Sequence, residues 1–106
     1  MARTDHKMFK LIRSAIEQLD PEAEVILFGS RARGQETSKS DWDVLILVDQ
    51  PEVNRQTEMK YREQLFDVEL ETGEAISTFV FAKPVWENKH SVTPFYENVQ
   101  KEGIRL

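Results

Sequence analysis

Two aspartates near the middle of the chain carry the chemistry that the sequence suggests most directly. Asp41 and Asp43 stand at the start of an apolar segment, 44–48. Side chains alternate along a strand, so we expect both carboxylates on one face, one pleat apart. Such a pair can hold Mg²⁺, which usually takes one or two protein carboxylates and completes its shell with substrate phosphates. The spacing therefore predicts a divalent-metal site at Asp41 and Asp43.

A second polar segment, directly after an apolar run at 25–28, is suited to binding phosphate. Gly29 has no side chain, so backbone N–H groups can approach an anion closely. Ser30 adds a hydroxyl donor, and Arg31 and Arg33 add positive charge. We expect these four residues to bind the phosphates of a nucleotide.

The two apolar runs must position these groups. Each run is short and continuous, which is typical of a strand buried on both faces. If strands 25–28 and 44–48 are antiparallel neighbours, the end of the first and the start of the second lie at the same end of the sheet. The polar segments would then form one site for a metal-bound nucleoside triphosphate. Each part alone has a simpler explanation, as a turn, a solvated strand end or surface charge, but their joint order and spacing favour the site.

The rest of the chain predicts one mixed α+β domain spanning 1–106. Apolar residues at three- and four-residue spacing predict a helix over 4–19, which Asp20-Pro21 would end. Alternation of apolar and acidic residues over 66–71 predicts a half-exposed strand. The remaining predictions are a helical turn after Ser30, a helix over 52–65, a strand over 76–82, a helical turn over 84–88, and a last helix beginning at Pro94, capped by Thr93 and ended by Gly103.

Charge and composition narrow the function classes. The 14 basic and 19 acidic residues give a net charge of −5, which argues against a general nucleic-acid-binding surface, because such surfaces neutralise phosphates with Lys and Arg. The absence of cysteine excludes a disulfide framework, a thiolate zinc site and a cysteine nucleophile. No apolar run approaches the roughly 20 residues of a membrane span, and the first ten residues lack the apolar stretch of a signal peptide. We expect a cytoplasmic protein without membrane contact.

The segment 29–43 resembles the signature of a known family. Gly29-Ser30, ten intervening residues and then Asp41-x-Asp43, with the loop sequence GSRARG and the two flanking strands, are similar to minimal nucleotidyltransferases of the DNA polymerase β-like superfamily. The resemblance covers most of the chain. It implies a nucleotidyltransferase fold, with a mixed sheet flanked by helices, and transfer of a nucleoside monophosphate, usually AMP from ATP, to a hydroxyl acceptor. Asp41 and Asp43 would be the catalytic residues and would hold Mg²⁺.

The same resemblance implies protein partners. Many small proteins of this kind are similar to the antitoxin half of two-gene modules, paired with a HEPN-domain ribonuclease that they can inactivate by adenylylation. We accordingly expect a nucleoside triphosphate and a HEPN-type toxin as partners. The exposed acidic strand predicted at 66–71 would also allow a homodimer.

One group that the resemblance implies is missing. The superfamily typically takes a third carboxylate, often the base that activates the attacking hydroxyl, from a later strand, and the predicted strand 76–82 contains none. Ser77 or Thr78 stands near the expected place. Four acidic residues are candidates for the role: Asp67, Glu69, Glu71 and Glu74. The first three would share one face of the strand at 66–71, where a solvated edge is the simpler interpretation. Two functions stay open: an active nucleotidyltransferase, and a catalytically degenerate protein of the same fold that binds and neutralises a partner.

Overall fold

The fold is a four-stranded mixed sheet with helices on both faces, seen in a computed structural model that describes the backbone of residues 2–106 and the side chains from Lys7 onward. It confirms the predicted α+β class. In chain order the elements are α1 (Ala2–Leu19), β1 (Glu24–Phe28), α2 (Ser30–Arg33), β2 (Trp42–Val48), α3 (Arg55–Thr72), β3 (Ile76–Ala82), α4 (Lys83–Asn88), α5 (Pro94–Glu102) and β4 (Ile104–Arg105). Among these described helices, none has both the length and the apolar character needed to cross a membrane.

The strand order β3-β2-β1-β4 places the two apolar runs side by side. β1 and β2 are antiparallel, with Phe28 at the end of β1 opposite Asp43 near the start of β2. β3 runs parallel to β2 and aligns Ser77 with Asp43, while the short β4 pairs antiparallel with β1. The end of β1 and the start of β2 therefore meet at one end of the sheet, as predicted.

The central strand, β2, is buried on both faces because successive side chains point in opposite directions. Trp42, Val44 and Ile46 pack into the core formed with α1 and α3. Leu45 and Leu47 pack into a second core formed with α4 and α5. The start of β2 is thus held from both sides.

Residues 66–71 belong to α3, so the strand predicted there is wrong. The helix begins with a side-chain cap, in which Asn54 Oδ1 accepts a hydrogen bond from Thr57 N at 2.8 Å. It ends at Gly73, whose φ of +74° is left-handed. No proline or glycine occurs between these ends to interrupt it.

The strand prediction failed because α3 is apolar on two faces. Tyr61, Leu65 and Val68 are spaced for one helical face and are buried; we call them the core face of α3. Phe66 and Leu70 point elsewhere and are 53% and 69% exposed. Apolar residues from the two faces fall at alternate positions in this stretch and imitate the period of a strand.

The other predicted elements are confirmed with small shifts of their ends. A short helix, α2, follows Gly29, and β3 spans the predicted range. Thr93 Oγ1 accepts a hydrogen bond from Tyr96 N at 3.2 Å and caps α5, which ends before Gly103. Local signals were sufficient for the ends of α5, whereas Asn54 and Gly73, which bound α3, did not prevent the wrong prediction at 66–71.

A hydrogen bond joins α3 to Asp20, the residue after α1, and its removal tests how much it stabilises the packing of the two helices. Tyr61 Oη donates to Asp20 Oδ2 at 2.7 Å, and burial together with this bond raises the pKa of the Tyr61 phenol. Tyr61→Phe removes the donor and keeps the ring, so we expect a loss of about 1 kcal/mol in the free energy of unfolding by urea. Tyr96→Phe is the control, because the Tyr96 hydroxyl makes no hydrogen bond with any described residue. Equal losses in the two variants would contradict this role.

Candidate functional site

Asp41 and Asp43, which we call the carboxylate pair, lie next to each other at the start of β2. Asp41 is exposed and Asp43 is half-buried. Ser77, which β3 aligns with Asp43, donates a hydrogen bond from Oγ to Asp41 Oδ2 at 3.0 Å. One serine thus orders the more exposed carboxylate, while the strand pairing holds the other.

The electrostatics of the carboxylate pair favour a cation. Burial raises the pKa of the Asp43 carboxyl, the Asp41 carboxylate raises it further, and Arg33 lowers it. The charge of Asp41 disfavours ionisation of Asp43, and a divalent cation bound between the two carboxylates would relieve this effect. The pair fits Mg²⁺, whose remaining coordination positions phosphate oxygens and water can fill. Among the described side chains, no cluster of three or more acidic residues or histidines suited to holding a metal is found.

Gly29 ends β1 directly against Asp43. Its φ of +79° and ψ of −162° lie in a region that is essentially restricted to glycine. A Cβ at this position would collide with Asp43 Oδ2 and lie 3.1 Å from its Cγ. The close approach of the backbone to the carboxylate therefore requires a residue without a side chain. We call residues 29–34 the phosphate loop, after the role that the sequence predicts for them.

The phosphate loop presents donors that the fold does not use. The Gly29 carbonyl accepts hydrogen bonds from the N–H groups of Ala32 and Arg33, both at 3.1 Å. By contrast, the Ser30 hydroxyl and the N–H groups of Ser30 and Arg31 form no hydrogen bond within the described part of the chain. These donors are available to an anion.

Arg31, which the sequence predicts to bind phosphate, is engaged inside the protein. Its guanidinium donates to the Ser40 carbonyl at 2.9 Å, contacts Glu74 Oε1 at 3.4 Å and lies over the Trp42 ring, 4.5 Å from the centroid. Only 10% of the side chain is exposed. Trp42 Nε1 donates to the same Glu74 oxygen at 2.9 Å. Arg31 therefore ties the phosphate loop to the start of β2 and to the α3–β3 connection, which is a positioning role.

Arg33 is the arginine that faces solvent near the carboxylate pair. Its guanidinium contacts Glu102 Oε1 and Gln35 Oε1, both at 3.0 Å. The side chain is 42% exposed, and its charge is close enough to Asp43 to lower the pKa of that carboxyl. An exposed ion pair of this kind is weak, so Arg33 can turn toward an anion at small cost.

None of the four candidate third carboxylates joins the carboxylate pair. Asp67 and Glu71 line a groove between α3 and α1, on the other face of the sheet. Glu69 Oε2 accepts a hydrogen bond from Ile76 N at 3.1 Å, and Glu74 is held by the tryptophan and arginine described above. The predicted strand would have aligned three of these residues, and its replacement by a helix separates them.

The contribution of Glu74 to the site is the feature that sequence reasoning missed. Its two hydrogen-bond partners lie 32 and 43 positions earlier in the chain. No local pattern signals a contact at that separation. The sequence pointed to Glu74 only as a candidate third carboxylate, which is a different role.

Aromatic rings border the carboxylate pair toward the middle of the sheet. Phe28, opposite Asp43, contacts Phe79 and Phe95 with ring centroids 5.4 and 5.3 Å apart. This aromatic cluster therefore begins directly across the strand pair from Asp43, whose carboxyl has a pKa raised by burial. Asp41 is exposed to solvent.

The family follows from a comparison with known domains. A family model described as a nucleotidyltransferase domain matches residues 9–105, which include the phosphate loop and the carboxylate pair. The chain therefore belongs to the nucleotidyltransferase domain family, as its motif indicates.

A solved structure supports the fold. The crystal structure of a toxin–antitoxin with AMP-PNP is similar to this chain, with a TM-score of 0.59 and 18% sequence identity, over 94% of this chain and 69% of that chain. At that identity the similarity shows the fold alone. A search of curated proteins found no significant match.

Substitution of the two glycines of the phosphate loop distinguishes the cost of a steric collision from the cost of a strained backbone. Both have positive φ, +79° at Gly29 and +73° at Gly34, but only Gly29 has another residue within reach of an added Cβ. We expect Gly34→Ala to cost about 1–2 kcal/mol of stability and Gly29→Ala at least about 3 kcal/mol, because collision adds to strain. Urea unfolding measures both. Losses of the same size would mean that the carboxylate is not what excludes a side chain at Gly29.

The raised pKa of Asp43 predicts a pH-dependent cost to stability. Its pKa in the folded chain lies above the ordinary value of 3.8, so folding disfavours the ionised form, and that penalty is present at neutral pH. Asp43→Asn should raise the melting temperature at pH 7, and the gain should vanish as the pH falls through the pKa of Asp43 toward 3.8. Asp49→Asn, at an exposed carboxylate beyond the other end of β2, controls for loss of a negative charge. A gain in melting temperature that persists at low pH would contradict the raised pKa of Asp43.

Proposed function

We propose that this chain is an active nucleotidyltransferase that moves a nucleoside monophosphate, in the first instance AMP from ATP, to a hydroxyl group of an acceptor. The observation that carries the proposal is the close approach of the Gly29 backbone to the Asp43 carboxylate. It supports a triphosphate on the phosphate loop within reach of a metal on the carboxylate pair.

The roles of the residues follow from their chemistry. Asp41 and Asp43 would hold Mg²⁺, which when bound neutralises charge on the triphosphate. The Ser30 hydroxyl and the unused N–H groups of the phosphate loop would bind phosphate oxygens, and Arg33 would add positive charge. The nucleophile belongs to the acceptor, so the protein contributes positioning and charge stabilisation rather than a covalent intermediate.

We assign the acceptor to a protein partner, with this chain as the antitoxin of a toxin–antitoxin module. The fold similarity to a toxin–antitoxin crystallised with AMP-PNP supports this choice. The family resemblance suggests a HEPN-type toxin whose hydroxyl group would receive the nucleotide. A cytoplasmic location belongs to the same proposal, because ATP and a ribonuclease target would be found there.

A second candidate function rests on the missing third carboxylate. Ser77 occupies the place beside the carboxylate pair on β3, and a serine hydroxyl is a poor general base at neutral pH. A protein of this fold without turnover would bind and neutralise the toxin directly. In that case nucleotide binding could persist while transfer is absent.

Calorimetric titration with ATP, with and without Mg²⁺, tests the site first. We expect metal-dependent binding in the wild type, its loss in Asp41→Asn, and its retention in Asp49→Asn, which removes a carboxylate at the far end of β2. Asp41 is exposed, so the substitution should leave the fold intact, which circular dichroism would check. Equal ATP affinity in the wild type and in Asp41→Asn, or no ATP binding at all, would overturn the proposal.

Incubation with a purified HEPN-type toxin and ATP then separates the two candidate functions. A mass increase of one AMP on the toxin, absent with Asp41→Asn, supports the transferase. Neutralisation of the toxin by the Asp41→Asn, Asp43→Asn double variant without any mass increase supports the second candidate.

A further inference from the structure

The outward face of α3 carries large apolar side chains that the fold leaves exposed. Met59, Phe66 and Leu70 are 46%, 53% and 69% exposed. They are seven and four residues apart, so they form one stripe along the helix. The stripe lies roughly opposite the core face of α3. Single exposed apolar residues are ordinary, but a stripe of three on one helix indicates a contact surface.

The charges of α3 are divided between its two halves. The first half, 55–63, has Arg55, Lys60 and Arg62 against Glu58 and Glu63. The second half, 64–72, has Asp67, Glu69 and Glu71 and no cation. This distribution opposes the macrodipole of the helix, which favours anions at the start and cations at the end. The stability of the isolated helix therefore does not explain it. Asp67 and Glu71 line the groove against α1, so the opposite charges that remain beside the stripe are Arg62 and Glu69, which lie in one groove with Phe66.

We propose that two copies of this chain associate through α3, packed antiparallel across a twofold axis near Phe66. With Arg62 facing Glu69, Met59 of each copy would lie within one helical turn of Leu70 of the other, and the two Phe66 rings would lie beside the axis. The stripes of the two copies would then cover each other. Because the same patch serves both copies, the contact closes as a dimer and does not propagate.

One ion pair fixes the register of this contact. Arg62 and Glu69 are seven residues apart and line the same groove between α3 and the outer edge of β3. In an antiparallel pair of helices, equal flanks face each other, so Arg62 would meet Glu69 of the second copy. Glu69 uses Oε2 to accept from Ile76 N, which leaves Oε1 for this arginine. The same alignment that joins the apolar side chains therefore joins opposite charges.

The association should be weak and independent of the nucleotide site. A helix of 18 residues is about 27 Å long, which offers less than the roughly 800 Å² per partner of a stable complex. Glu63, which lines the same groove as Arg62 and Glu69, adds a further negative charge to the contact and weakens it. The carboxylate pair belongs to the face of the sheet that packs on α4 and α5, so both sites stay open in the dimer, and the inference does not rest on the proposed function.

Sedimentation equilibrium from micromolar to near-millimolar protein tests the dimer. We expect the wild type to dimerise reversibly and Phe66→Lys to raise the dissociation constant by about 100-fold or more, because two buried rings become two opposed cations. Val92→Lys is the control, since Val92 is 87% exposed and lies away from α3, in the turn before α5. A monomer at every concentration, or equal effects of the two variants, would overturn the proposal. The proposal would also be overturned if another purified protein, such as the toxin, bound to the stripe while the chain alone stayed monomeric.

A charge exchange tests the register. Arg62→Glu alone and Glu69→Arg alone should each raise the dissociation constant by about tenfold, since each places like charges in contact twice per dimer. The double variant should restore association toward the wild-type value. Additive weakening in the double variant would show that these residues do not meet and would overturn the antiparallel arrangement. Circular dichroism of each variant checks that α3 is intact.

Discussion

The approach of the Gly29 backbone to the Asp43 carboxylate is the constraint on which the rest of the site depends. It exists because β1 and β2 are antiparallel and in a register that sets Phe28 opposite Asp43. Any side chain at position 29 would occupy the place of the carboxylate. The burial of β2 on both faces holds this register, so packing far from the candidate site determines how closely the Gly29 backbone and the Asp43 carboxylate can meet.

The polar side chains around this junction have different roles, some structural and some open to a ligand. Arg31 is enclosed by Glu74 and the Trp42 ring, and it stabilises the loop rather than facing a ligand. Arg33 remains half-exposed beside the carboxylate pair. Ser77 orders Asp41 where a third acid would be expected. Among the described side chains no third acid joins the carboxylate pair, so in the proposed transferase the base would come from the acceptor or from a partner protein.

The helix α3 contains the segment that was wrongly predicted as a strand, and it also carries the surface of the proposed dimer. A helix that is apolar on one face only would have shown a clear helical period and would have been recognised over its whole length. The additional outward apolar residues, Phe66 and Leu70, produced the false strand period and also form the stripe through which we propose that two copies meet. Of the acidic residues that would have lined the edge of a strand, Asp67 and Glu71 line the groove against α1, and Glu69 lies beside the stripe, where it can face Arg62 of a second copy.

The two neighbouring strands, the spacing of the candidate site residues and the family could be read from the sequence, because these features lie within 24 residues of one another, at 25–48, and their order is visible in the chain. The ends of α5 could also be read, from Thr93 and Gly103, whereas Asn54 and Gly73 at the ends of α3 were not recognised. The structure was needed to show that residues 66–71 are helical. Apolar residues alternate in the same way along a half-exposed strand and along a helix that is apolar on two faces. Only the structure decided the role of Arg31, because its partner Glu74 lies 43 positions away. Contacts of that range depend on how whole elements pack, and no local pattern of residue types records them.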